Sequence, residues 1–230
     1  MTLGRLIGVG VGPGDPMLMT LKAVSAIEQA DLLAFFHAPQ TKSRALTTVD
    51  AYFDELPQIQ GFVLTMGRAD EDYREAAEAI LPEIDAGQVV AVLCEGDPFT
   101  YGSFGKLIRH FPSMTPIDVV PGITSFAASS AAIGRALVQN RSALCVMPAT
   151  AGEQTLSAAM ARTSETLVIL KVGPRLPWLR EKLAQAGRLA EAWLCVEIGH
   201  DSQRLIRLSE AEAIDAPYFS LLIVYGQSPP

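Results

Sequence analysis

Short apolar runs broken by glycine and proline set the rhythm of the first half of the chain. Residues 6–9 are apolar, and Gly10-Val11-Gly12-Pro13-Gly14 ends the run. Asp15 suits a helix N-cap and Pro16 the first helical position. Leu18, Leu21, Val24 and Ile27 then recur at helical spacing to about Gln29. Residues 31–36 read as a second strand, 37–48 as a polar loop leading into a short helix, and 61–64 as a third strand. Ala76, Ala79, Ile80 and Ile84 predict one buried side for a helix over 71–85. Residues 89–93 are hydrophobic without a break, as a strand covered on both faces should be. Leu107 and Ile108 belong to a helix ending near Phe111, and 117–120 form a short strand. Strand and helix alternate, which predicts a mostly parallel α/β lobe.

The pattern changes at Pro121-Gly122. Residues 125–133 read as a helix whose Ala127, Ala128, Ala131 and Ala132 suit close packing. Strands follow at 143–147, 166–171, 193–197, 203–207 and 218–225, with helices near 153–162 and 176–186. The strands at 193–197 and 203–207 have no helix between them, which predicts antiparallel pairing. The expected architecture is α/β in two lobes, 1–118 mostly parallel and 119–230 mixed, with the active-site cleft between them.

Composition narrows the function classes. Hydrophobic residues make up 49% and charged residues 19%, which excludes a disordered chain. No apolar run approaches the roughly 20 residues of a membrane span. The first residues lack the order of a signal peptide, so a soluble, cytoplasmic protein is expected. The net charge of −7 argues against nucleic acid as a partner but admits an anionic small molecule met by a local cationic cluster. Cys94, Cys145 and Cys195 are far apart and each lies in an apolar run, which reads as reduced core thiols. His37, His110 and His200 show no ligand spacing, and no metal is expected.

Candidate chemistry lies in three similar turns: Gly12-Pro13-Gly14-Asp15-Pro16, Glu95-Gly96-Asp97-Pro98 and Pro121-Gly122-Ile123-Thr124-Ser125. A dinucleotide fingerprint fails on the first, because the third glycine falls on Pro13 or Asp15. A phosphate-binding loop fails because no Gly-Lys-Ser/Thr follows. Strand ends with glycine turns still offer backbone groups to a ligand, and the three are expected to face one cofactor. Asp97 reads equally as a helix cap and as a carboxylate at a ligand-binding strand end. Thr124-Ser125 opens a helix, and Tyr101 beside Gly102 reads first as a core aromatic. Glu95 is a charge ending an apolar strand beside a Gly-Asp, a placement that is rare without a reason. Lys42, Arg44, Arg68, Arg135, Arg141 and Lys171 are scattered.

The motifs carry a resemblance. Gly8-Val9-Gly10-Val11-Gly12-Pro13-Gly14-Asp15-Pro16 with Thr20-Leu21-Lys22-Ala23 resembles the opening of the tetrapyrrole methylases. Glu95-Gly96-Asp97-Pro98-Phe99-Thr100-Tyr101-Gly102-Ser103 resembles their second motif, and Val120-Pro121-Gly122-Ile123-Thr124-Ser125-Phe126 their third, in order along nearly the full chain. The resemblance implies the two-lobed class III methyltransferase fold and S-adenosyl-L-methionine as methyl donor, with S-adenosyl-L-homocysteine as its product. It also implies a tetrapyrrole substrate and a homodimer. By position it implies cofactor contacts at Pro13, Glu95, Gly96, Asp97, Thr100, Thr124, Ser125, Val172, Ile198 and Tyr218.

Within the family, Glu95 before Gly-Asp-Pro and Tyr101-Gly102-Ser103 after it look like the methylases that act on C20 of precorrin-2 to give precorrin-3A. So do Leu170-Lys171-Val172-Gly173 and Pro217-Tyr218-Phe219-Ser220-Leu221. Thr100 departs from that subgroup, which usually has a second aromatic there. A cobalt-bearing substrate, or attack at C11 or C17, is the alternative. Asp97 and Tyr101 are the candidates for catalysis, and Arg44, Arg68 and Arg141 for the substrate carboxylates.

Overall fold

The computed structural model describes residues 4–210 and 216–227. The chain divides into two compact units, Met1–Ser125 and Phe126–Pro230.

The first unit runs β1 (Arg5–Gly10), α1 (Leu21–Glu28), β2 (Leu32–His37), α2 (Arg44–Asp50), β3 (Gln58–Val63), α3 (Ala69–Asp85), β4 (Val89–Cys94), α4 (Phe104–Leu107) and β5 (Ile117–Val120). Its sheet has the order β3-β2-β4-β1-β5, and every pairing is parallel. Alternate residues of the strands feed two cores. Leu6, Leu32, Val90 and Val92 pack with Ile80 of α3 and Leu107 of α4 on one face. Ile7, Val9, Leu33 and Leu93 pack with Ile27 of α1 and Val49 of α2 on the other. Burial on both faces is why β4 carries no polar alternation.

Three local expectations change here. The helix expected from Asp15 is two elements, a 3-10 turn over Pro16–Leu18 and then α1. Asp15 Oδ1 accepts from Met17 N at 2.8 Å, and Thr20 Oγ1 accepts from Ala23 N at 3.1 Å as a second cap. The extended backbone at Met19 and Thr20 shifts the buried stripe to Met19, Ala23 and Ile27, leaving Leu21 exposed. In α3 the buried small residue beside Ala76 is Ala77, and Ala79 faces solvent. The third strand begins at Gln58, three residues before the predicted start.

The second unit runs α5 (Ser125–Ile133, its first residue at the unit boundary), β6 (Leu144–Pro148), α6 (Glu153–Met160), β7 (Thr166–Leu170), α7 (Leu176–Gln185), β8 (Ala192–Val196), β9 (Arg204–Arg207) and β10 (Ser220–Val224). The sheet order is β6-β7-β10-β8-β9. β6 and β7 are parallel and the other pairings antiparallel, including the predicted β8–β9 pair. Leu156, Leu179 and Leu183 of the helices pack on one face with Leu194 and Leu222. On the other face Val168, Cys195 and Ile223 meet Phe126, Ala128 and Ile133 of α5. The close packing expected of α5's alanines is carried by Ala128 and the buried Ser129, while Ala127, Ala131 and Ala132 are exposed.

Arg188 is fully buried in this unit and donates to five backbone carbonyls, those of Met160, Arg162, Glu165, Val224 and Tyr225. Its fork ties the ends of α6, β7 and β10 together. Burial lowers its pKa, opposed by the charges of Glu191 and Glu165.

Candidate active site

The parallel register brings the three turns together. Gly10 stands level with Cys94, and Val9 with Val120, so β1, β4 and β5 end side by side. Their exits then lock to one another through backbone groups. Gly96 N donates to Gly12 O at 2.7 Å, Gly12 N to Gly96 O at 3.3 Å, and Val11 N to Cys94 O at 3.0 Å. Gly122 lies against Gly10 so closely that a Cβ on Gly10 would meet Gly122 N at 2.5 Å and Gly96 O at 2.7 Å. Only hydrogen fits at Gly10 and Gly122. Gly96 differs: its φ is +70°, and a Cβ there would meet nothing nearer than Ile123 O at 3.9 Å. A side chain at Gly96 would therefore stand in nearly open space beside the second turn.

Asp97 joins the second turn to the third. Its Oδ1 accepts from Phe99 N at 3.0 Å and Thr100 Oγ1 at 2.9 Å, and its Oδ2 accepts from Gly122 N at 3.2 Å. Both oxygens are thus engaged in shaping the turns. Tyr101 is not the core aromatic expected from its neighbours: it is 46% exposed, with φ +56°. A bulky residue held in the left-handed region stores strain of about 1–3 kcal/mol, a mark of functional loops. Pro13 is buried within the first turn, and Thr124 and Ser125 close the third.

Two links to these turns escape a reading of the sequence. Glu95 is ion-paired with Arg44 at the start of α2, with Nε–Oε1 at 3.1 Å and side chains 18% and 28% exposed. Thr48, one helical turn later, has its hydroxyl 3.3 Å from Gly14 O and 3.1 Å from Arg44 O, so its single proton is shared between them. α2 therefore grips the first and second turns at once. The partners are 51 and 34 residues apart, and no spacing rule connects them. The charge closing an apolar strand was the one available signal.

Arg68 lies at the entry to α3, beyond edge strand β3. It pairs with Glu71, Asp72 and Glu75, and the Glu71 hydrogen bond leads in raising its pKa. In the second unit, Val172 and Ile198 are buried just past β7 and β8, and Tyr218 is exposed just before β10. Val172 N donates to Ser220 O and Glu197 N to Phe219 O, each at 3.1 Å, which gathers these positions at one end of that sheet. Lys171 and Glu197, one step before Val172 and Ile198, are both left-handed, with φ +59° and +49°. Arg141 lies on an exposed loop before β6.

A model of the tetrapyrrole (corrin/porphyrin) methylases matches residues 5–214. The chain belongs to the tetrapyrrole methylases. This methylase is 39% identical to the precorrin-2 C(20)-methyltransferase of a Sinorhizobium species, over 97% of this chain and 96% of that one. It is 30% identical to the cobalt-precorrin-2 C(20)-methyltransferase of Salmonella typhimurium, over 97% of each. Among solved structures it is similar to the uroporphyrin-III C-methyl transferase of Thermus thermophilus complexed with S-adenyl homocysteine. That likeness has a TM-score of 0.70 at 25% identity, over 96% of this chain and 97% of the other. The all-parallel first sheet and mixed second sheet of this methylase are the two-sheet architecture expected of the family. Among its described residues no three His, Cys, Asp or Glu side chains cluster as metal ligands, and no helix is long and apolar enough to cross a membrane.

Proposed function

We propose that this chain transfers the methyl group of S-adenosyl-L-methionine to C20 of precorrin-2, giving precorrin-3A in cobalamin biosynthesis. The observation that carries methyl transfer is the backbone-locked junction of Gly10, Gly12, Gly96 and Gly122 at three strand ends. It fits the cofactor chemically, because it offers carbonyls and close approach around the open space at Gly96. The cofactor supplies a methyl on a sulfonium: the S–CH₃ bond breaks toward sulfur as the C–CH₃ bond forms, and the acceptor carbon then releases a proton. Since positive charge disappears along that step, a bare anion holding the sulfonium would slow it. Positioning and exclusion of water carry the rate instead.

The residues divide the work as follows. Gly96, Thr100, Thr124 and Ser125 frame the cofactor, with Pro13 fixing the first turn and Glu95 the approach to the second. Asp97 is proposed as a positioning residue through its three hydrogen bonds. Tyr101, exposed and strained, is proposed to face the substrate. Arg44 stands at these turns but is paired with Glu95, and Arg68 is engaged by three acidic residues, so Arg141 on its exposed loop is the remaining candidate of the three for a substrate carboxylate. Homodimeric assembly, implied by the family resemblance, and a cytoplasmic location, expected from the pattern of apolar runs, belong to the same proposal.

The choice of C20 rests on the likeness to the Sinorhizobium enzyme along both full lengths. The Salmonella relative supports a second reading, in which the substrate carries cobalt. Incubating the protein with labelled S-adenosylmethionine and either metal-free or cobalt-bearing precorrin-2 tests both, with the product read by mass spectrometry and NMR. One methyl gained at C20 of the metal-free substrate is the expected result. Methylation of the cobalt form alone selects the second reading, and a methyl at another carbon removes the C20 assignment.

A further inference from the structure

Glu95 places a carboxylate at the mouth of the second turn, one residue before the open position at Gly96. Taken alone it would oppose methyl transfer, because a nearby anion stabilises a sulfonium in the ground state and loses that hold in the transition state. The structure does not leave it alone. Arg44, at the first position of α2, brings its Nε to 3.1 Å from Glu95 Oε1, with both side chains largely withdrawn from solvent. Thr48 Oγ1 on the next turn of α2 lies within hydrogen-bond reach of Gly14 O, and Ala45, Thr48 and Val49 are buried against the rest of the unit. The guanidinium is therefore held by an anchored helix, not by a mobile side chain reaching from a loop.

We infer that Arg44 is a charge-masking residue, which cancels the field of Glu95 at the cofactor turn so that the site does not overbind the cationic methyl donor relative to its neutral product. The inference rests on the cofactor being held at these turns, as proposed above. It gives Glu95 a purpose besides charge: the pair secures α2 to the second turn as Thr48 secures it to the first.

The donor and product differ in one methyl and in the charge on sulfur. The ratio of their dissociation constants therefore reads the field at sulfur without any turnover. Calorimetry on the intact protein with S-adenosylmethionine and S-adenosylhomocysteine gives that ratio. Arg44→Met, which keeps the apolar stem, is expected to shift it roughly three- to tenfold in favour of the donor, the size expected of one partly screened charge. In turnover the variant lowers kcat and lowers KM for the donor, as removal of a ground-state balance should. Glu95→Gln removes the negative charge and keeps the guanidinium, and is expected to shift the ratio the opposite way. The double variant returns it to the wild-type value. The opposed signs separate masking from support of the loop, which would weaken both ligands alike. Equal losses for donor and product, or an unchanged ratio in both single variants, overturn the inference.

If Arg44→Met does not fold, Arg44→Gln takes its place, because an unmasked Glu95 would also favour the donor and Glu95→Gln alone could not tell the two apart. Gly96→Asn, the side chain that best tolerates the left-handed backbone there, puts a group into the open space and tests the underlying placement. Unchanged affinity for both ligands in that variant puts the cofactor elsewhere and removes both proposals. Lost affinity there with a flat ratio at Arg44 and Glu95 removes the masking role only.

Discussion

At the scale of single residues, Asp97 ties two of the three turns together with one carboxylate. Its two oxygens take hydrogen bonds from Phe99 N, Thr100 Oγ1 and Gly122 N, so one side chain closes its own turn and pins the neighbouring one. Hydrogen bonds to a charged acceptor contribute about 1.5–3 kcal/mol each when buried and less when half-exposed. Asp97→Ala is expected to lower stability by about 1–3 kcal/mol and to weaken S-adenosylhomocysteine binding about tenfold or more. Asp97→Asn is expected to recover only part of that loss, because an amide nitrogen cannot accept from Gly122 N. Urea denaturation and calorimetry check both numbers. Turnover lost with product affinity intact would reverse the assignment and make Asp97 a participant in proton removal. Both faces of Asp97 were legible from its setting before a proline, but the bond to Gly122, 25 residues away, was not.

At the scale of elements, α2 is a short helix with a role out of proportion to its seven residues. Its buried Ala45, Thr48 and Val49 seat it on the sheet, while Arg44 and Thr48 reach the second and first turns. Thr48→Val keeps the shape and deletes the hydroxyl. It is expected to cost about 1–2 kcal/mol by leaving the Gly14 carbonyl without that donor. It should weaken S-adenosylhomocysteine several-fold, whereas Thr47→Val on the exposed side of the same helix changes binding little. A matched pair of melting curves and titrations distinguishes them.

Most elements follow directly from their residues. Strand ends fall where glycine and proline interrupt apolar runs, and unbroken hydrophobicity marks β4 as central. What periodicity misses has local causes. Thr20 offers a second cap that divides the first helix, and Ala79 sits one step off the face that α3 turns to the sheet. The short helix expected after the polar loop at 37–48 already begins at Arg44, because the Ser43 hydroxyl caps it there.

At the scale of the whole molecule, each unit holds one deeply buried thiol, Cys94 in the first and Cys195 in the second. Burial pushes both up to about 12, from an ordinary value of 9.0. The charge of Asp97 adds to the effect at Cys94, while hydrogen bonds from Phe104 and Ser129 act against it at the two sites. Folded, each thiol keeps its proton to about pH 12, and unfolded it releases it near 9. The folded state thus binds more protons in that window, so stability is unaffected below pH 9 and falls as pH rises toward 12. Fully developed, the loss is on the order of 4 kcal/mol per thiol. Urea midpoints are expected to drop over that range and to recover most of the loss in a Cys94→Ala/Cys195→Ala variant. At pH 8 a thiol reagent should reach the half-buried Cys145 first. The reading of all three cysteines as reduced thiols needed only their spacing and apolar settings. That Cys145 is the least buried could not be read from them.

The reciprocal bonds between Gly12 and Gly96 have a consequence for how this chain can change length. Two loops that leave parallel strands and immediately close an antiparallel bridge have no slack. One extra residue in either would break the bridge, draw Gly122 away from Gly10 and unseat Asp97. The exposed stretch 38–42, by contrast, is tied mainly to itself through bonds from Thr41 to Ala38. Insertions, reporter tags and new loop sequences belong there, where the lengthened backbone can bulge into solvent and the junction of the three turns keeps its frame.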